Sequence, residues 1–248
     1  MVTVEYGRQH QKVILLLHGG GLNCWNYCEI AEKLQERYHV VIPILDGHAG
    51  SDRPFTTIEN NAAALIAYID EHFGGSVALI GGLSLGAQIL TEMLAQRIDI
   101  CCFALIESAL VIPMKGTQRL IRLAVKESYG LIRRRWFAKL QFRSLKIKKE
   151  WFEDYYRDTC GIGQKDMIAF MQANAGYAVK EGIARTQAEV FLFVGQKEPK
   201  IMQRSARKLQ QLIPGSRLTV MPQRYHGEFS LNHPLEYAQT VSRLLADA

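Results

Sequence analysis

The stretch SVALIGGLSLGAQILTEMLAQ, residues 76–96, decides how the rest of the chain is read. A short apolar run, SVALIG, passes without a linker into AQILTEMLAQ, a segment of good helix formers. Between them stands Gly82-Leu83-Ser84-Leu85-Gly86. A strand that turns sharply into a helix needs glycine at both flanking positions, because side chains there would collide with neighbouring backbone. Ser84 would then stand exposed at a helix N-terminus, where the positive end of the macrodipole favours developing negative charge. A Gly/Ser-rich turn without chemistry has the same five residues, so the surrounding chain has to decide.

Working outward, apolar runs alternate with helix-periodic segments. Val13 to Leu17, His39 to Ile44, Ser76 to Ile80, Ile98 to Leu105, Glu189 to Val194 and Arg217 to Met221 are short, rich in Val, Ile, Leu or Phe, and bounded by Gly or polar residues. Residues 2–6 add a candidate outer strand. Tyr27, Ile30, Ala31 and Leu34 recur at helical spacing, as do Tyr237, Val241, Leu244 and Leu245, with Pro234 placed for a first helical turn. This alternation predicts an α/β fold with a mostly parallel, doubly wound sheet.

From about Leu110 to Glu181 the alternation fails, and helical blocks such as RLIRLAV and IRRRWFAKL take over. The expected organisation is a core of residues 1–109 and 182–248 with a helical insertion, or cap, over 110–181. The formal charge of the 248-residue chain is +6, but residues 112–150 hold twelve Lys or Arg against two acidic residues, a local 12 − 2 = +10. The remainder therefore sums to 6 − 10 = −4. No nucleic-acid reading module accompanies this charge, so it is a local device of the insertion, and nucleic acid is not an expected partner.

Hydrophobic residues make up 48% and charged residues 22% of the chain, a globular balance. The first residues lack the apolar core of a secretion signal, and no run approaches the ~18 apolar residues of a membrane span, so the expected setting is cytoplasmic. Five scattered cysteines, without a CxxC pair or a metal-ligand spacing, predict reduced and mostly buried thiols and no metal.

Two further motifs carry a resemblance. His18-Gly19-Gly20-Gly21 follows the run VILLL, and Asp46-Gly47-His48-Ala49-Gly50-Ser51-Asp52 follows HVVIPIL. A dinucleotide fingerprint would also place glycines after a strand, but this cluster lacks the final small residue and the closing acidic residue. With the Gly-x-Ser-x-Gly turn, the motifs resemble the α/β-hydrolase family. The resemblance covers roughly residues 12–109 and 186–248. It implies that Ser84 is a nucleophile and that the oxyanion hole takes one backbone N–H from Gly20 or Gly21 and one from Leu85.

The base is expected after the last strand, where Tyr225-His226-Gly227 stands. A serine hydroxyl is a poor nucleophile until a base removes its proton, and imidazole is half-titrated near neutrality. His48 belongs to the turn motif and precedes the nucleophile; His233 sits where a capping or surface group would. The acid that orients the imidazole is expected at the end of the preceding strand, which points to Glu198, although the family more often has Asp there. Glu107, at the end of CCFALIE, is the alternative acid.

The constellation predicts acyl transfer to water without a cofactor, on a small-molecule acyl substrate. A carboxylic ester is the default, with thioester, amide or carbon–carbon cleavage as variants on the same site. A serine rather than aspartate nucleophile argues against haloalkane and epoxide chemistry. The rival class is a binding protein that keeps the fold and its pocket without turnover. The insertion's aromatic residues, Trp136 and Phe137 foremost, are candidate pocket walls. Its charge has two readings: attraction of an anionic substrate, or peripheral docking on acidic lipid.

Overall fold

The computed structural model describes residues 1–114 and 116–246. Seven strands, β1 (Thr3–Tyr6), β2 (Val13–Leu17), β3 (His39–Pro43), β4 (Val77–Leu83), β5 (Cys101–Glu107), β6 (Glu189–Gly195) and β7 (Arg217–Met221), form one sheet in the order β1-β3-β2-β4-β5-β6-β7. Only β1 runs antiparallel to its neighbour. The chain has the α/β-hydrolase architecture, with helices on both faces of a mostly parallel sheet.

Alternation along β2 shows why both faces are covered. Leu15 and Leu17 enter one apolar cluster with α2 (Ile58–Phe73) and α3 (Leu85–Gln96), through Leu65, Ile69, Ile89 and Met93. Ile14 and Leu16 enter the opposite cluster with α1 (Trp25–Leu34), through Tyr27, Ile30 and Leu34. Successive side chains on a strand point to opposite faces, so a central parallel strand must be apolar throughout. Every residue of β2 is buried.

The sequence boundaries shift by more than one residue at two strands. β4 runs on through Gly81 and Gly82 to Leu83, so the strand reaches the residue before Ser84. β5 begins at Cys101 rather than Ile98: residues 98 and 99 form a turn before the strand, beside which Arg97 pairs with Asp99 and with Asp70 of α2, both at 3.0 Å.

Between β5 and β6 lie α4 (Thr117–Ile132), α5 (Arg135–Leu145), α6 (Phe152–Gly161) and α7 (Gln164–Gly176). They are tied to the core by polar contacts as well as apolar ones. The Trp25 indole N–H donates to Asp158 Oδ2 at 3.1 Å, and Trp25 stacks on Trp151. Gln88 of α3 donates to the carbonyls of Leu110 and Asn174. After β6 come α8 (Lys200–Leu212), then β7, α9 (Glu228–Asn232) and α10 (Pro234–Ala246), the last starting on the expected proline. All five cysteines are free, but only Cys101 is buried; Cys102 is exposed and the rest are half-buried, against the expectation of mostly buried thiols. No described helix is long and apolar enough to cross a membrane.

Candidate active site

Ser84 occupies the turn from β4 into α3 with φ 53° and ψ −108°, a conformation that costs a non-glycine residue about 1–3 kcal/mol. The turn persists because its surroundings dictate it. The Ser84 N–H donates to the Glu107 carbonyl at 2.9 Å, and its carbonyl accepts from the Gln88 N–H at 2.9 Å. A Cβ at Gly82 would lie 2.6 Å from the Gly86 carbonyl oxygen, and one at Gly86 would overlap the Leu17 carbonyl. The collision inferred from the pentapeptide is therefore present at both glycines.

Glu198 lies in the loop after β6, with its side chain fully buried. Its Oε1 accepts from the Ser108 hydroxyl and from the Gly195 N–H, each at 2.7 Å. Its Oε2 meets His226 Nδ1, also at 2.7 Å. Burial alone would raise the pKa of this carboxyl, but the hydrogen bonds and the imidazole outweigh it and hold the group below its ordinary value. His226, in the loop between β7 and α9, is the mirror case. Burial draws its pKa down, while the hydrogen bond and charge of Glu198 raise it further, so the net shift is upward. Because a carboxylate can only accept, the proton sits on Nδ1 and leaves Nε2 as the basic nitrogen.

Glu107, the alternative acid, faces elsewhere. Its carboxylate accepts from the backbone N–H groups of Phe229 at 3.0 Å and Ser230 at 3.2 Å, the first turn of α9. Burial lifts its pKa to about 7. It anchors the segment that follows His226 and makes no hydrogen bond to the imidazole.

The loop after β2 separates Gly20 from Gly21. The Gly21 N–H donates to His48 Nε2 at 3.0 Å, so it is already engaged. The Gly19 N–H donates to Asn26 Oδ1 at 3.2 Å. The Gly20 N–H bonds to no described residue, and Leu85, as the first residue of α3, has no helical acceptor for its own N–H. The two are neighbours: a Cβ at Gly20 would lie 3.4 Å from the Leu85 Cβ.

Two buried histidines shape this loop. His48 accepts from Gly21 on Nε2 and donates from Nδ1 to the Asp46 carbonyl at 3.1 Å, and burial lowers its pKa to about 4. His18 accepts from the Leu45 N–H on Nε2 at 3.1 Å and donates to the Gly19 carbonyl at 2.9 Å, and burial brings its pKa to about 3. Both are neutral, with both nitrogens occupied. Neither is free to act as a base, and together they fix the backbone on either side of Gly20.

Ser84, Glu198, His226 and Gly20 all line one cavity of about 510 Å³. Its other walls are mainly apolar, including Leu22, Ile132, Leu145, Met167 and Phe170, with Gln141, Ser144 and Thr159 among the polar groups. Residues of all four helices of the insertion contribute. Trp136 and Phe137 are not among them. Trp136 points outward, 63% exposed, and Phe137 packs on the core, so this expectation is corrected: the first turn of α5 turns these rings away from the cavity, and Gln141, Ser144 and Leu145 at its far end face it instead. Of the insertion's aromatic residues, Tyr155 and Phe170 line the cavity. Sequence reasoning passed over Ser108, although it directly follows a strand end, where open α/β sheets collect their functional groups. It passed over His18 as a loop support too. Among the described residues no group of three or more His, Cys, Asp or Glu is placed to hold a metal ion.

Residues 14–240 match the alpha/beta hydrolase family, and the chain belongs to that family. No curated protein matches it. Among solved structures it is similar to a thermophilic esterase from Thermogutta terrifontis, with 19% identity, 99% of this chain and 93% of that chain covered, and a TM-score of 0.80. It is similar also to a carboxylesterase structure from Nitrososphaera gargenis, at 18% identity, 99% and 93% coverage and a TM-score of 0.80. A third likeness is to the enol-lactonase from Burkholderia xenovorans LB400, at 14% identity, 99% and 96% coverage and a TM-score of 0.82.

Proposed function

We propose that the protein is a serine hydrolase that cleaves a carboxylic ester through Ser84, His226 and Glu198. The observation that carries this reading is the fully buried Glu198 carboxylate held on His226 Nδ1 at 2.7 Å, in a cavity also lined by the strained Ser84. Ser84 Oγ attacks the ester carbonyl carbon as His226 Nε2 takes its proton. The carbonyl electrons move to the oxygen, which is held by the N–H groups of Gly20 and Leu85. Collapse of this intermediate breaks the bond to the alcohol, which leaves with the proton from His226. Water then attacks the acyl-enzyme, with His226 again accepting and returning a proton, and releases the acid and free Ser84. Glu198 stays ionised throughout and holds the imidazole in the productive tautomer.

The apolar walls favour a substrate with a hydrocarbon acyl or alcohol part, since an uncharged chain loses little on leaving water for this cavity. The neighbours described as esterases and an enol-lactonase support hydrolysis of an oxygen ester. A fluorophosphonate probe tests the reading. It should label Ser84, and Ser84→Ala should abolish labelling and lower turnover of chromogenic esters by about 10³-fold or more. Labelling of a different serine would remove the assignment. Tight ligand binding with no turnover dependent on Ser84 would favour a binding protein on the same fold.

A further inference from the structure

Among the described residues, the positive charge of the insertion does not line the cavity: no arginine does, and its lysine, Lys197, comes from the core. The charge lies instead on the outer faces of α4 and α5, where it is interleaved with apolar side chains. On α4, Leu120 and Leu123 are 66% and 58% exposed; on α5, Trp136 and Leu140 are 63% and 60% exposed. Arg119, Arg122 and Lys126 on α4 and Lys139 and Arg143 on α5 are exposed beside them, and none has a carboxylate within ion-pair distance among the described residues. The ion pairs of these two helices are limited, among the described residues, to Arg135 with Glu153.

Exposed Leu and Trp side chains within a turn of cations that have no carboxylate partner among the described residues match a layered surface, in which an anionic layer would pair with the cations and a less polar layer beneath it would take up the apolar groups. We propose that the outer face of α4 and α5 docks on an anionic lipid bilayer, with the arginines and lysines among the headgroups and Leu120, Leu123, Trp136 and Leu140 in the acyl boundary. Charge complementarity selects this occupant. An amphipathic helix at a membrane surface carries Lys and Arg beside Leu and Trp, and this face has five such cations with no acidic partner among the described residues, a single-sign charge that an anionic headgroup layer complements. Leu145, at the end of α5, is exposed and also lines the cavity, so α5 contributes to both the outer surface and the wall of the site.

Co-sedimentation with vesicles tests the docking without reference to turnover, so its outcome is independent of which bond the site cleaves. The wild-type protein should pellet with vesicles of equimolar phosphatidylcholine and phosphatidylserine and remain in solution with phosphatidylcholine alone. Trp136 provides an optical signal, because Trp25 is 4% exposed and Trp151 stacks on it, so a blue shift of tryptophan emission reports insertion of Trp136. The exposed triple reversal Arg119→Glu/Arg122→Glu/Lys126→Glu should lower the partition constant at least about tenfold. Leu120→Ser/Leu123→Ser/Leu140→Ser should also reduce pelleting, and circular dichroism checks that both variants fold. Wild-type protein that stays in the supernatant with the anionic vesicles overturns the proposal. So does a charge-reversed, folded variant that pellets as well as wild type.

Discussion

Replacing Glu198 by glutamine changes one atom, and the surroundings dictate which way the new amide must point. Oε1 accepts two donors, the Ser108 hydroxyl and the Gly195 N–H, both at 2.7 Å. If the amide nitrogen stood there, the buried Gly195 N–H would face another donor and lose its bond, at a cost of about 1–3 kcal/mol. The amide oxygen therefore keeps that place, and the amide nitrogen faces His226 Nδ1. A donor at that point forces Nδ1 to accept and moves the ring proton to Nε2, the nitrogen that takes the proton of Ser84 in the proposed mechanism. Loss of the correct tautomer costs serine hydrolases on the order of 10⁴-fold in kcat. With a chromogenic ester, Glu198→Gln should therefore lose between about 10³- and 10⁴-fold in kcat with little change in KM. Glu107→Gln should lose less than about tenfold, because that carboxylate accepts only from the backbone of α9. A Glu198→Gln enzyme within about tenfold of wild type, or a larger loss in Glu107→Gln, would refute the argument.

The remaining predictions concern protonation and strain. His226 has a pKa above the ordinary 6.5 because Glu198 stabilises the imidazolium, and the imidazolium cannot accept a proton, so kcat/KM should rise with pH through a single step whose midpoint lies above 6.5. The residual activity of Glu198→Gln should show that step at lower pH, since the charge that stabilises the imidazolium is gone; an unmoved midpoint would contradict the coupling. Ser84→Gly should abolish activity yet stabilise the fold by about 1 kcal/mol, because glycine adopts φ 53° without strain. Differential scanning calorimetry should record this as a Tm about 2–4 °C higher, and a lower Tm would show that the turn is unstrained.

Some of this was open to reading from the chain because it is local. The β4 to α3 turn depends on residues a few positions apart, and the collisions that demand Gly82 and Gly86 involve backbone that any strand-turn-helix brings together. Runs such as VILLL announce a strand buried on both faces, since no other setting shelters every side chain of an extended segment. The order of Ser84, Glu198 and His226 along the chain, each after a strand, was legible for the same reason. The start of β5 was not, because Ile98 is as apolar as the strand residues yet lies in the turn that precedes them.

What tertiary structure alone decided are the choices among chemically equivalent residues. Glu107 and Glu198 both end or follow a strand, and sequence ranks them only by family likeness; which one reaches Nδ1 depends on how two loops from different strands meet above the sheet. Gly20 and Gly21 are the same residue type side by side, and they differ because His48, folded in from the next loop, takes up the Gly21 N–H. Ser108 became part of the site only when β6 and its loop brought Glu198 to it. The insertion's composition was plain, but the direction of its side chains was not: packing of α5 on α4 and α6 turned Trp136 and the arginines outward and Leu145 toward the cavity. Composition and local period are properties of the chain itself, whereas a hydrogen-bond partner or an exposed face exists only once distant segments are in contact.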